Sequence, residues 1–281
     1  PRAERASRVN FSRRDDEPLA RHLAIRLGGP CDYFLVAHHE EGLADAWAWC
    51  RERELRPTLL GAGTRTIGRD GGVRGAVLRL GQGFARHDVR DAIHWVGAAR
   101  PVPAMVARAM ALGQSGLERF ACTAGSLGAA LVHDVGWENV VDKVQIWRRG
   151  RIVDADLEDV QGKKTAVVVG AMVTLEPSTV DHVTEATLRT LSRAEPVPPG
   201  SWFGTPQSDE LRELIRSARL PMVRLRRAAI PRESPELLVN LGGASIGDVQ
   251  LLLKSMVDRV KTVRGEVLAP RMRWLGIPGN R

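Results

Sequence analysis

The sequence is poor in cysteine and contains no long apolar run. Its 281 residues include three cysteines, scattered and odd in number, at Cys31, Cys50 and Cys122. This usage is typical of a reducing compartment, and no Cys/His spacing resembles a zinc site, so we predict no metal. No apolar stretch approaches the roughly 20 residues that a membrane span needs, and the first residues contain no apolar leader core. We therefore expect a cytoplasmic protein with no membrane span.

Aromatic residues are also scarce: they form 5% of the chain, with a single tyrosine, whereas the net charge is +8. The positive charge favours an anionic partner. Few aromatic side chains leave few stacking platforms for single-stranded nucleic acid, and the arginines are spread along the chain instead of being collected on one helix. Nucleic acid is therefore disfavoured as a partner, and a nucleotide or a phosphorylated sugar is at least as good a candidate.

The arrangement of apolar residues predicts an α+β protein of two or three lobes. Residues 1–17 are charged and lack periodicity, which predicts a mobile arm. Helical spacing from Gly42 to Arg53 precedes two strand-like segments, "PTLLG" and the alternating "VRGAVLRL". Further strands are predicted at "IHWVGA", "VVDKVQIW" and "AVVVGAMVTLE", with a helix from Val102 to Leu112. The proline-rich "SRAEPVPPG" marks the clearest domain boundary.

Two amphipathic helices are predicted beyond the proline-rich segment. The first is "DELRELIRSARL" and the second is "IGDVQLLLKSMVDRVKTV". Ser245 and Asp248 have the spacing of a capping box at the start of the second helix, and Gly265 is placed to end it. No internal repeat is apparent in the chain.

A glycine-rich stretch, "LLGAGTRTIGRDGGVRGAVLRL", runs from Leu59 to Leu80 between two strand-like ends. It is not the dinucleotide-binding fingerprint, because that motif needs a helix straight after the glycines. It is not a P-loop either, since no Gly-Lys-Ser/Thr follows. The residues alone leave two interpretations open: a cradle for phosphate groups, or a simple turn between two strands.

A second stretch, "GLERFACTAGSLGAALVHD" from Gly116 to Asp134, is dense in small residues. Small side chains let a backbone approach a ligand closely, with N–H groups free to donate to phosphate oxygens. The alternative is the tightly packed start of a helix. In the first stretch, Arg65, Arg69 and Arg74 fit either an anion site or a solvated, positively charged loop.

Taken in order, these segments resemble the UDP-N-acetylenolpyruvoylglucosamine reductases, flavoenzymes of bacterial cell-wall precursor synthesis. "LLGAGTRTIGRDGGVRGAVLRLG" is similar to the family's "LGGGSNLLVSDEGFDGVVIRLG", which wraps the FAD pyrophosphate, and "FACTAGSLGAAL" is similar to "LAGIPGTVGGAL", its second FAD loop. The family's other motifs are matched by "PLARHLAIRLGGPCDYFLV", "GSWFGTP", "ELLVNLGGASIGDVQLLL" and "GEVLAPRMRWLG". The resemblance is collinear from Pro18 to Gly276.

The resemblance implies an α+β fold with a two-lobe FAD-binding domain and a small C-terminal α+β domain of substrate-binding type. The expected bounds are residues 18–82 and 83–195 for the two lobes, 196–262 for the substrate-type domain, and 263–281 for a tail that returns to the FAD-binding part. The implied FAD-contacting residues form two groups. They are Gly61, Ala62, Gly63, Thr64, Arg65 and Thr66 in the first loop, and Thr123, Gly125, Ser126 and Gly128 in the second.

Two departures from the family affect the FAD loops. Arg65 stands where the family has an asparagine, and "VHDVG" replaces the family's "MNAGA". Backbone N–H donors do not depend on side-chain identity, so the pyrophosphate cradle can persist. The resemblance therefore implies FAD as the cofactor, and the departures imply that its affinity is weakened or lost.

The catalytic positions depart further. In the family, hydride passes from NADPH to FAD and then to the enolpyruvyl group of a UDP-sugar; a serine supplies a proton, while an arginine and a glutamate stabilise the enolate-like intermediate. Ser201 of "GSWFGTP" matches the serine, but Arg271 stands in place of the glutamate. The arginine's "YRxS" segment has no counterpart between residues 153 and 171, where the only cations are Lys163 and Lys164. We interpret these lysines as part of a solvated turn.

Two classes of function follow from this comparison. The first is a catalytically impaired or inactive relative, kept as a binding or regulatory protein that contacts a UDP-sugar, another anionic nucleotide, or a protein partner in cell-wall synthesis. The alternative is an active FAD-dependent reductase that uses NADPH and reduces the enolpyruvyl ether of a UDP-sugar. In that alternative, Arg271 substitutes as the enolate stabiliser, which a guanidinium can do by charge although it cannot exchange a proton at neutral pH.

Overall fold

The structure is a computed structural model of the chain, and it describes residues 10–163, 166–193, 223–231, 237–265, 267 and 272–279. Within these ranges the chain forms two lobes and a smaller C-terminal unit. The helix predicted at "DELRELIRSARL" and most of the proline-rich segment lie outside the described residues. No helix in the described ranges is long and apolar enough to cross a membrane.

The first lobe is built on a four-stranded sheet. Its elements are β1 (Phe11–Pro18), β2 (Pro30–Ala37), α1 (Glu40–Glu52), β3 (Thr58–Leu59), β4 (Thr66–Gly68) and β5 (Val73–Leu80), with a 3-10 turn at Leu19–His22. The sheet has the order β1-β2-β5-β3, in which β1 is antiparallel to β2 and the other pairs are parallel. The helix α1 covers it because Leu43, Ala46 and Cys50 recur at helical spacing and are buried.

The strand β1 corrects the prediction of a mobile arm over residues 1–17. Residues Phe11–Pro18 pair antiparallel with β2, in register from Phe11 against Ala37 to Pro18 against Pro30. The prediction was wrong for residues 11–17 because "SRRDDE" shows no apolar alternation. An edge strand needs none, since backbone hydrogen bonds hold it and charged side chains are typical of a sheet edge. Residues 1–9 lie outside the described part of the chain.

The second lobe is an antiparallel sheet covered by helices. Its elements are β6 (His87–Arg90), β7 (Ile93–Gly97), α2 (Val102–Ala111), β8 (Gln114–Ser115), α3 (Leu127–His133), β9 (Val141–Arg148), β10 (Arg151–Ala155), β11 (Val168–Thr174), β12 (Glu176–Pro177) and α4 (Val180–Arg193), with 3-10 turns at Gln82–Ala85, Glu118–Phe120 and Leu157–Asp159. The main sheet has the order β10-β9-β11-β7-β6, and β12 pairs with β8. As predicted, α2 buries Val102, Met105, Val106 and Ala109.

The strand β11 is buried on both faces, which explains its long apolar run. Val168, Ala171 and Val173 pack into the core of the second lobe. Val167 and Val169 pack instead against Leu78 and other residues of the first lobe. Strands covered on both sides read as continuous apolar runs rather than alternating ones. The two lobes therefore share an apolar interface along this strand.

The C-terminal unit packs against the first lobe. It consists of β13 (Val223–Leu225), β14 (Ala228–Ile230), β15 (Val239–Asn240), α5 (Ile246–Arg264) and β16 (Arg273–Leu275). The helix α5 begins with the predicted capping box of Ser245 and Asp248 and ends at Gly265, whose φ of 74° is left-handed. Its apolar side packs on Ile25, Leu27 and Ile67 of the first lobe. The strand β16 lies parallel to β4, so a late part of the chain completes the first lobe.

A chain of hydrogen bonds runs through the half-buried His87 and the buried His94 at the edge of the second sheet. The amide nitrogen of Gln114 donates to the carbonyl of Asp91, so the Oε1 atom of Gln114 accepts from Nε2 of His94 at 2.7 Å. Nδ1 of His94 then accepts from Nε2 of His87 at 2.8 Å. This assignment of donors and acceptors requires both imidazole rings to be neutral. Burial lowers the pKa of both histidines, and the neighbouring His94 and Arg100 help lower the pKa of His87 to about 4.

These lowered pKa values predict an acid-sensitive fold. The unfolded histidines titrate near pH 6.5, so the unfolded state binds more protons as the pH falls from 6.5 towards 4. The free energy of unfolding should therefore decrease by roughly 1–3 kcal/mol as the pH falls from 6.5 towards 4. Urea unfolding at pH 7.0 and 4.5 measures the change, and His87→Gln should make the difference smaller. An unchanged difference in the variant would contradict the assignment.

Candidate active site

The candidate site is a cleft between the two lobes, called here the lobe cleft. Its volume is about 200 Å³. Two glycine-rich loops border it: the first glycine loop, residues 61–66 after β3, and the second glycine loop, residues 121–128 before and at the start of α3. Gly61, Ala62, Ser126 and Gly128 line the cleft.

The first glycine loop presents backbone amides that have no acceptor among the residues the structure describes. The ladder between β3 and β5 ends with the amide of Leu60 donating to Leu78. Among the described residues, none of the amides of residues 61–64 donates a hydrogen bond to another group. The carbonyl of Gly63 accepts from Ala24 at 3.0 Å, which anchors the loop from behind. Successive unpaired amides beside a cleft are a site for an anion such as a phosphate.

The second glycine loop is held against β7 and the segment that follows it. The amide of Leu127 donates to Arg100 and that of Gly128 donates to Ala98, both at 2.9 Å. A Cβ atom at Gly128 would lie only 2.9 Å from Cβ of Ala98, so no larger residue fits this approach. Gly125 has a φ of 137°, which side-chain-bearing residues rarely adopt. The small residues of this loop therefore serve close packing as well as bordering the cleft.

The two glycine loops contact each other directly. A Cβ atom at Gly61 would lie 3.0 Å from Oγ of Ser126, and Oγ1 of Thr64 donates to the carbonyl of Ala124 at 3.3 Å. Arg65 reaches further, to the carboxylate of Asp134 at the end of α3. Its two terminal nitrogens lie 2.6 and 3.2 Å from the two carboxylate oxygens.

The lobe cleft is positively charged. Arg79 of β5 and Arg273 of β16 line it, and no aspartate or glutamate does among the residues that the structure describes. Burial lowers the pKa of both guanidiniums, so each is a partly desolvated cation. Nη1 of Arg273 donates to the carbonyl of Leu59 at 2.7 Å, which fixes its position beside the first glycine loop. Sequence reasoning missed both arginines. Arg79 interrupts the apolar end of β5, and Arg273 begins the short strand β16, which gave no signal of a role at the cleft.

The structure brings some predicted cofactor residues to the cleft and places others behind it. Gly63, Thr64 and Arg65 support the first loop from outside the cleft lining, and Thr66 is a buried residue of β4. Thr123 and Gly125 belong to the second loop but do not line the cleft. Contacts of any of these residues with FAD stay predictions.

The remaining predicted residues fall into two groups. Arg69 lies 5.8 Å from the ring centre of Trp274, and Arg74 pairs with Asp32 at 2.9 Å, so neither points a free charge at the cleft. Ser201 and Arg271, the candidate catalytic residues, lie outside the described part of the chain. Their roles stay predictions.

The segment that lacks the Tyr-Arg pair forms a hairpin end and a turn. After β10, a 3-10 turn leads to Gly162, whose amide donates to the carbonyl of Val132 at 2.8 Å. Lys163 is exposed and lies 3.6 Å from Asp159. Its surroundings are those of a solvated turn, and Lys164 lies outside the described residues. No cation from the described part of this segment lines the cleft.

Comparison with known proteins identifies the family. The chain is 32% identical to UDP-N-acetylenolpyruvoylglucosamine reductase 2 of Symbiobacterium thermophilum, over 89% of each chain. It is also 32% identical to the corresponding reductase of Anaeromyxobacter sp., over 98% of this chain and 92% of that one. The chain belongs to the UDP-N-acetylenolpyruvoylglucosamine reductase family. The predicted family is therefore confirmed.

Two further comparisons agree with this reductase family. Residues 31–156 match the FAD binding domain family, which covers both glycine loops. The crystal structure of UDP-N-acetylenolpyruvylglucosamine reductase from Thermus caldophilus superposes with a TM-score of 0.76 at 23% identity, covering 94% of this chain and 98% of that one. The predicted α+β fold of the FAD-binding type is thus confirmed. Most of the residues that line the lobe cleft lie inside the matched region, and Ala166, Val167, Val168 and Arg273 join them from later in the chain.

The first glycine loop should tolerate no side chain at Gly63. Its φ of 71° is left-handed, and a Cβ atom there would collide with the carbonyl oxygen of His22. We expect Gly63→Ala to lower the free energy of unfolding by roughly 2–4 kcal/mol. Gly162→Ala is the matched control, because Gly162 has the same φ of 71° but no atom within 4 Å of its added Cβ. It should lose only about 1 kcal/mol in the same denaturant titration, and equal losses would show that collision is irrelevant.

Proposed function

We propose that this chain binds FAD in the lobe cleft, with the diphosphate on the amides of the first glycine loop. The observation that carries this proposal is a combination of two features: the amides of Gly61 and Ala62 in the cleft have no acceptor among the described residues, and the cleft holds Arg79 and Arg273 but no described carboxylate. A dinucleotide diphosphate carries two negative charges, which such a surface neutralises without a metal. The match of residues 31–156 to an FAD binding domain supports the same ligand.

The residues present fit FAD on both sides of the cleft. Gly61 and Ala62 would hold the diphosphate through their amides, and Ser126 would face it with a hydroxyl that has no other partner among the described residues. Arg273, anchored on Leu59, would supply a fixed cation beside the bound group.

When bound, FAD supplies hydride acceptance and donation; the protein supplies binding, orientation and charge. Leu78, Leu80 and Val168 give the apolar walls that exclude water.

We further propose that the family's reductase reaction is impaired or lost, and that the chain acts as a binding or regulatory relative in cell-wall precursor synthesis. Arg271 stands where the family has a glutamate, and the Tyr-Arg pair is missing. Losing one stabiliser of developing charge typically costs about 10²–10³-fold in rate. The described part of the altered segment offers only Lys163, which is exposed and paired with Asp159. A UDP-sugar or another anionic nucleotide remains the expected second ligand.

The FAD proposal predicts a reversible complex. Purified protein with added FAD should show the visible flavin spectrum of a bound species and a higher melting temperature, because a ligand of the native state alone stabilises it. Dialysis should remove the flavin, since the loops lack the family's polar side chains at Arg65 and in "VHDVG". Absence of both signals at saturating FAD would refute the proposal. Stoichiometric flavin retained through dialysis would refute the weakened affinity.

The proposal of impaired catalysis predicts no turnover of the family's substrate. Protein supplied with FAD, NADPH and UDP-N-acetylenolpyruvoylglucosamine should not oxidise NADPH beyond the rate without the sugar nucleotide. Arg271→Glu should not restore activity, because charges that act as a unit are not recovered by repairing one member. Turnover by the wild type that Arg271→Ala abolishes would instead establish a rewired reductase with Arg271 as the enolate stabiliser.

A further inference from the structure

The ion pair between Arg65 and Asp134 joins the two sides of the lobe cleft. Arg65 belongs to the first glycine loop, and Asp134 ends α3 directly after Val132 and His133, which line the cleft. The carboxylate side chain is 2% exposed and the guanidinium 18% exposed. Both terminal nitrogens of Arg65 are engaged, at 2.6 and 3.2 Å, so the contact is two-pronged. Such pairs fix orientation as well as distance.

Stability alone does not account for such a pair. Removing two charges from water costs about as much as their attraction returns, so a buried ion pair is weak evidence for a more stable fold. Here the pair fixes the position of the first glycine loop relative to the end of α3. Between the two glycine loops themselves, the described residues form one side-chain hydrogen bond, the 3.3 Å contact from Thr64 to Ala124. The carbonyl of Arg65 also accepts from the amide of Arg273 at 3.0 Å, so the pair adjoins the cationic wall of the cleft.

We infer that Arg65 and Asp134 are a positioning pair: they hold the first glycine loop at a fixed spacing from α3, the helix that begins in the second glycine loop, before the cofactor arrives. The amides of Gly61 and Ala62 are thereby preorganised for a diphosphate. This inference rests on the proposed FAD binding. A preformed loop spends less of its binding energy on ordering, so the pair contributes to affinity without touching the ligand.

The competing role for Arg65 is that of a direct phosphate ligand. Its geometry opposes this: its terminal nitrogens are both bonded to Asp134, its charge is neutralised there, and the residue does not line the cleft. The two roles make opposite predictions for Asp134→Asn. A direct ligand would be freed by the substitution and would bind FAD as well or better, whereas a positioning residue would lose its anchor and bind FAD more weakly.

The test measures FAD affinity by fluorescence titration for the wild type, Asp134→Asn and Arg65→Gln. Both variants should bind about tenfold more weakly or worse. Arg74→Gln is the matched control: it also removes an ion-paired arginine of the first lobe, but its partner is Asp32 and its side chain is largely exposed. The control should keep the wild-type affinity, which excludes a general effect of lowered positive charge.

A second variant covers the case in which a single substitution fails to fold. The double variant Arg65→Ala/Asp134→Ala leaves no lone buried charge, so it should recover part of the melting temperature that the single variants lose. Its FAD affinity should nevertheless stay low. Hydrogen exchange of the cofactor-free proteins gives a readout independent of FAD: exchange over residues 61–66 and 121–134 should rise in the double variant and stay unchanged in Arg74→Gln.

The outcomes separate this inference from the proposed function. Equal or tighter FAD binding by Asp134→Asn or the double variant overturns the positioning role while FAD binding stands. If the wild type binds no FAD, the proposed function fails, and hydrogen exchange alone decides the pair: raised exchange in both loops supports it, and unchanged exchange overturns it.

Discussion

The site depends on one constraint, the close packing of the second glycine loop against the first loop and against the end of β7. A Cβ atom at Gly61 would lie 3.0 Å from Oγ of Ser126 across the lobes, and one at Gly128 would lie 2.9 Å from Cβ of Ala98 within the second lobe. This approach places the unpaired amides of one loop beside the packed start of α3, and it brings Arg65 within reach of Asp134. The apolar strand β11 supports the arrangement from below, because it is packed against both lobes. The position of the lobe cleft, its positive charge and the exposed amides of the first glycine loop all depend on this packing.

The sequence predicted the elements that carry strong local signals. The alternating "VRGAVLRL" is β5, the helical spacing near Gly42 is α1, and the spacing of Ser245 and Asp248 is a true capping box. These signals are local because periodicity and capping involve neighbours in sequence. The strand β1 was not predicted, because backbone hydrogen bonds hold this charged edge strand and its sequence has no alternation of apolar residues.

The candidate site was less predictable because its chemistry is assembled from distant residues. Glycine loops were visible as composition, but Arg65 and Asp134 are 69 residues apart, and Arg273 contacts Leu59 across 214 residues. The arginine at position 65 was considered as an anion ligand or a solvated residue, and the structure shows it instead paired with a buried carboxylate. The fold determines whether a cationic side chain faces a ligand or forms an ion pair within the protein. The sequence therefore predicted where the glycine loops are, but not which groups their arginines contact.

The parallel pairing of β16 with β4 has a consequence for the order in which the molecule is made. The backbone of β4 finds its partner in Arg273–Leu275, and the neighbouring amides of Arg69 and Gly71 donate to Leu275 and Ile277. During synthesis, the first lobe therefore waits for about 200 further residues before this part of it can close, and closing so long a loop is slow. The ribosome must deliver residues 273–275 before the first glycine loop has its final support. The cleft thus matures only after a segment that emerges about 200 residues later than its first glycine loop.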